Sequence, residues 1–133
     1  MFENIPNVLF AVAAVALVGF VVFNTVGNAF GGPNAEEQER IRTLLANGDA
    51  LLLDVRTPRE FSSNGLDGAK NIPVQRLDKR LEEVGSKDQP VIVYCRSGNR
   101  SGKAARILEK SGYETVYDLG SLRSAHSVVE GAE

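Results

Sequence analysis

One cysteine, one histidine and no tryptophan occur among the 133 residues, and the two single residues each exclude a class of protein. A lone cysteine, Cys95, can close no internal disulfide, so the chain is not a small cross-linked scaffold. With His126 the sole histidine, no set of Cys and His side chains can supply four zinc ligands, and no metal is expected. A basic surplus is missing too: fifteen Lys plus Arg against seventeen Asp plus Glu leave a net charge of -2. That is not the electrostatic footprint of a nucleic-acid binder, and no nucleic-acid partner is expected.

Charge is absent altogether from one end, because no charged side chain lies between Asn4 and Ala35. Within that stretch Val8 to Phe23 is wholly apolar or glycine, and Ile5 to Val26 extends the run to 22 positions. A helix of that length covers roughly 30 Å, the thickness of a bilayer hydrocarbon core. The remainder of the chain is too short to surround a helix that is apolar on every side. Residues 1–33 are therefore expected to be a transmembrane anchor with a short Gly31-Gly32-Pro33 neck, contacting the membrane through residues 5–26, and residues 34–133 to be one domain. The N-terminal flank carries no Lys or Arg, while Arg40 and Arg42 follow the run, so the positive-inside rule puts the domain in the cytoplasm. A signal peptide cut after Gly27-Asn28-Ala29, leaving a periplasmic or secreted domain, is the alternative; the missing basic n-region argues against it.

After the neck, Asn34 caps an expected helix that ends at Gly48. Ala50 to Val55 is a short run, apolar except for Asp54, suited to a strand buried on both faces. Thr57-Pro58-Arg59-Glu60 has the cap, first-position proline and third-position acid of a helix start. Leu77, Leu81 and Val84 recur at helical spacing before Gly85. Pro90 to Tyr94 reads as a second buried strand, Ser101 to Ser111 as a helix stopped by Gly112, and Thr115 to Tyr117 as a last strand. This alternation predicts an α/β domain with a mainly parallel central sheet flanked by helices, in which ligands sit beyond the carboxyl ends of the strands.

Cys95 falls at that end of a strand, on the loop Cys95-Arg96-Ser97-Gly98-Asn99-Arg100 that leads into Ser101 and a helix. Backbone N–H groups of residues 96 to 101 can converge on one centre, the helix end adds partial positive charge, and Arg96 and Arg100 add full charges. A thiol so placed should be largely thiolate. Gly98 permits a positive φ, and Ser97, Asn99 and Ser101 are small or polar enough to keep the bowl open.

Three segments in order resemble the rhodanese family: LLDVRTPREF (Leu52 to Phe61), GAKNIPV (Gly68 to Val74) and VIVYCRSGNRS (Val91 to Ser101). The resemblance implies a sulfurtransferase that needs no cofactor. Cys95 would take a sulfane sulfur from thiosulfate or another small-molecule or protein donor as a persulfide, then pass it to a thiol or other thiophilic acceptor. Arg96, Arg100 and the loop amides would bind the donor's anionic group, and Asp54 with Arg56 would form a structural pair under the site. The sequence departs from the family pattern at Gly65, where many relatives carry His; near the C-terminus Gly120-Ser121-Leu122 approximates a Gly-Gly-Ile turn and Ala125 stands where tryptophan is common, so a looser final helix is expected. His126 reads as a surface residue.

Two other functions use the same features. Cysteine phosphatases and arsenate reductases place five residues between cysteine and arginine, whereas here four separate Cys95 from Arg100, and Tyr94 rather than His precedes the cysteine. A non-catalytic docking module tethered to the membrane would have lost the cysteine or the loop arginines, and neither is lost.

Overall fold

A computed structural model describes residues 32–131, and the apolar run of residues 5–26 lies outside them. Among the described residues no helix is long and apolar enough to cross a membrane. Helix α1, Ala35–Ala46, starts at an Asn34 cap whose side chain accepts from the Glu37 N–H while the Glu37 carboxylate accepts from the Asn34 N–H. Strand β1, Leu51–Asp54, follows, then α2, Pro58–Asn64, opened by the same reciprocal cap between Thr57 and Glu60. The two-residue strand β2, Lys70–Asn71, precedes β3, Val91–Tyr94; helix α3, Asn99–Lys110, leads to β4, Val116–Gly120, and α4, Leu122–Glu130, ends the fold.

All pairings in the four-stranded sheet are parallel, in the order β2-β1-β3-β4. Parallel strands carry helices on both faces, so the central strands β1 and β3 are apolar but for Asp54 at the end of β1. Alternate residues serve opposite layers. Leu53, Val55, Val91, Val93 and Cys95 pack under α3 with Ile72, Leu77, Ala104 and Leu108. Leu52, Ile92, Tyr94, Tyr117 and Leu119 face α1 and α4 through Ile41, Ala125 and Val128.

Between β2 and β3 the expected α-helix through Leu77, Leu81 and Val84 is instead two 3₁₀ turns, Val74–Lys79 and Leu81–Glu83. Val74 and Leu77, then Leu81 and Val84, are each three residues apart, and three per turn aligns each pair on the core. Arg80, at φ -123° and ψ 27°, breaks the run and resets the phase. Helix α3 begins two residues before Ser101, and β4 runs three residues beyond Tyr117. The final helix packs inward through Ala125, which is fully buried, and Arg42 of α1 donates to the Val128 carbonyl at 2.8 Å.

The buried Tyr113 hydroxyl lies 3.0 Å from the Leu81 carbonyl and 2.9 Å from that of Gly85, tying the 3₁₀ segment to the end of α3. Tyr113→Phe should lower the unfolding free energy by about 1 kcal/mol, read as a shifted midpoint at constant slope in urea. An unmoved midpoint would mean that water serves those carbonyls equally well.

Candidate active site

The site is built where β3 ends and β4 slips register. Val93 is level with Asp118 but Tyr94 with Gly120, so Leu119 is the extra residue of a bulge. The irregularity lets the Cys95 N–H reach the Gly120 carbonyl at 2.9 Å and anchors the loop's first residue. Gly98 then takes φ +104°, a left-handed conformation that glycine adopts without strain, and α3 starts at Asn99. On the far side of the loop, Ser97 bridges Ser121, and Leu122 donates to the Arg96 carbonyl.

This path turns the loop amides inward. The Gly98 N–H points at Cys95 Sγ from 3.0 Å. Burial pushes the thiol up, but the Ser101 hydroxyl and the N–H groups of Ser101, Gly98 and Ser97 outweigh it and hold the thiol below its ordinary value. Ser101 is itself buried; its single hydroxyl hydrogen faces the Gly98 carbonyl at 3.0 Å and can rotate to the sulfur when charge develops there.

The other expected site residues fall into two groups. Arg96, Ser97 and Asn99 are exposed around the loop, while Arg100 is partly buried and directed to Glu60 of α2. Both Arg100 Nη atoms meet the Glu60 carboxylate, at 2.7 and 2.9 Å. Arg100 is therefore braced against a neighbouring helix, and its charge still acts on Cys95. Its hydrogen bonds hold the Glu60 carboxyl at about 2, well below the ordinary 4.5.

Asp54 and Arg56 lie beneath, fully buried or nearly so. Arg56 Nε lies 3.1 and 3.0 Å from the two Asp54 oxygens, Nη2 donates at 2.8 Å, and the Arg56 N–H closes the turn at 2.8 Å. The remaining Nη1 donates to Asn64 at 2.7 Å, and Asn71 Nδ2 serves the Asp54 and Arg56 carbonyls. Tyr94, whose ring lies 5.8 Å from the Arg56 guanidinium, accepts from the Leu66 N–H at 3.0 Å; burial above all pushes it up to about 12. Among described residues no buried side-chain nitrogen or oxygen lacks a partner, so α2, β2 and the end of β1 form one satisfied polar layer under the loop. His126 is exposed and pairs with Glu130 at 2.8 Å, away from these contacts.

Glu60, Asn64 and Asn71 are the residues that sequence reasoning missed. Glu60 had already been accounted for as a helix cap, and nothing in a linear spacing shows that its carboxylate also reaches a residue 40 positions away. Among the described residues no cluster of His, Cys, Asp and Glu could hold a metal ion.

Residues 37–124 match the rhodanese-like domain family, and the chain belongs to it. It is 37% identical over 87 residues to a sulfurtransferase of Allochromatium vinosum, covering 65% of this chain and 80% of that protein. Thiosulfate sulfurtransferase PspE of Escherichia coli is 38% identical over 72 residues, covering 53% and 69%. An uncharacterized Bacillus subtilis protein, YqhL, is 44% identical over 70 residues, which are 53% of this chain and 55% of that protein's length. A solved Escherichia coli rhodanese superposes with a TM-score of 0.54 at 36% identity, over 56% of this chain and 89% of that one. Relatives named as sulfurtransferases thus share the fold and the sequence family, which places sulfur transfer in general within reach of this chain.

Two measurements test the site. Thiolate absorbance titrated against pH should show Cys95 ionising below the ordinary free-thiol value of about 8.5, and Ser101→Ala should move it up; a wild-type midpoint at the ordinary value would remove the amide cradle as its cause. For Glu60, a depressed folded pKa means stability that is fully present above pH 4.5 and is lost as pH falls through about 2. Glu60→Gln should therefore be less stable than wild type at neutral pH, with the gap closing as the pH falls through that window. A gap independent of pH would assign its effect to the helix cap instead of the ion pair.

Proposed function

We propose that the chain is a membrane-anchored rhodanese-type sulfurtransferase that carries sulfur as a Cys95 persulfide. The observation that carries this reading is a cysteine sulfur held by loop amides, with no second thiol in the chain. The Cys95 thiolate attacks the outer sulfur of thiosulfate or of a persulfide donor; the new S–S bond forms as the donor's own S–S bond breaks, and sulfite or the donor thiolate departs with the bonding pair. An external nucleophile such as cyanide or a thiolate then attacks the outer sulfur and returns Cys95 to the thiolate. No oxidant is consumed. Because there is no internal resolving thiol, the persulfide waits for that acceptor.

Arg96 and the amides of residues 97–101 bind the donor's anionic group, and the same amides stabilise the charge that returns to Cys95 Sγ when the acceptor attacks. Arg100, fixed by Glu60, contributes positive charge near the sulfur and stiffens the first turn of α3. The Asp54–Arg56 layer keeps the loop from collapsing into the core. Residues 5–26 anchor the domain to a membrane, with the domain in the cytoplasm.

Cys95→Ser should abolish transfer, since a serine oxygen is not an anion at neutral pH and forms no persulfide. Wild type treated with thiosulfate should gain about 32 Da, the mass of one sulfur atom, and an active serine variant would end the proposal. For placement, the full chain should stay with membranes in alkaline carbonate, and the domain should resist protease in right-side-out vesicles but not in inverted ones. Release by carbonate would refute the anchor, and digestion in right-side-out vesicles would refute the orientation.

A further inference from the structure

A cleft of about 540 Å³ opens beside the Cys95 loop, and four arginines line it: Arg56, Arg59, Arg96 and Arg123. Arg56 is neutralised by Asp54, and the acid in the wall, Glu60, is occupied by Arg100. Among the described residues no carboxylate pairs with Arg59, Arg96 or Arg123. Three uncompensated guanidinium groups around one cavity repel one another, and an anion among them relieves that repulsion. The volume is far beyond what a thiosulfate ion fills and lies in the roughly 300–1,000 Å³ range of sites for larger organic ligands.

Arg59 and Arg123 belong neither to the loop that holds the sulfur nor to its support. Each is the second residue of its helix, α2 and α4. The Glu60–Arg100 pair brings the start of α2 to the loop, and the Ser97–Ser121 bridge brings the start of α4, so the two arginines flank Arg96 from opposite elements. Both side chains belong to exposed residues and are free to pair. Guanidinium forks suit carboxylate and phosphate oxygens bidentately.

We propose that Arg59 and Arg123 are specificity residues that select a multiply anionic thiol as the sulfur acceptor. The acceptor's carboxylates or phosphates pair with the two guanidinium groups while its thiolate, having lost its proton to solvent, attacks the outer sulfur of the Cys95 persulfide. The bond to Cys95 Sγ breaks, the acceptor leaves as its own persulfide, and Cys95 is again a thiolate. This inference rests on the persulfide reading of Cys95.

The test loads the full-length chain with thiosulfate, removes the excess, and follows discharge to three acceptors: glutathione, its diethyl ester and coenzyme A. The ester keeps the thiol and skeleton but masks both carboxylates. Wild type should favour an anionic acceptor over the ester by roughly tenfold or more, and Arg59→Ala and Arg123→Ala should each cut that ratio by roughly three- to tenfold. Added salt should cut it as well. Preference for glutathione assigns the recognised groups as carboxylates, and preference for coenzyme A assigns them as phosphates. A ratio near one in wild type, or a ratio that neither substitution moves, overturns the proposal. Failure of the underlying persulfide reading looks different, because then no sulfur adduct exists on wild type before any acceptor is added.

Discussion

A sulfur anion on a residue with no exposed surface must be stabilised by donors from the chain itself, and the arrangement around Cys95 follows from that constraint. The Gly98 N–H reaches the sulfur because Gly98 is left-handed, and the loop can turn there because the bulge in β4 fixes the Cys95 N–H on Gly120. Burial alone would raise the thiol's pKa. The Ser101 hydroxyl, together with the amides of residues 101, 98 and 97, reverses that direction and holds the thiol below its ordinary value.

Holding such a loop in place requires a rigid floor. The Asp54–Arg56 pair costs desolvation, as any buried ion pair does, and its value lies in geometry. Arg56 uses Nε and Nη2 on Asp54 and Nη1 on Asn64, so β1 and α2 are locked together directly below the loop. Glu60 then ties the same helix to Arg100 on α3. With the Ser97–Ser121 bridge on the opposite side, the loop is clamped from two directions while its exposed residues, Arg96, Ser97 and Asn99, remain toward solvent.

Much of this was legible in the sequence because local chemistry writes it there. Leu51 to Leu53 and Val91 to Tyr94 are apolar runs too short for anything but strands buried on both faces, Asn34 and Thr57 each precede a glutamate at capping distance, and Gly98 stands where the loop must bend. The 74–84 segment was misread because a spacing of three, four and three fits an α-helix as well as two 3₁₀ turns with a break between them. Strand β2 carried no periodic signal at two residues. Contacts distant in sequence were invisible for a different reason: Glu60 with Arg100, and Arg59 with Arg123 across one cleft, depend on how the helices pack, which no local pattern records.

Sulfite release before any acceptor is present tests the central claim most directly. Rapid mixing of the full chain with thiosulfate alone should release sulfite in a burst of one per chain and then stop, since the outer sulfur is retained on Cys95 until a nucleophile removes it. Adding cyanide afterwards should yield a matching amount of thiocyanate. Sulfite that appears only when acceptor and thiosulfate are present together would mean direct transfer between substrates, and would contradict the persulfide on Cys95.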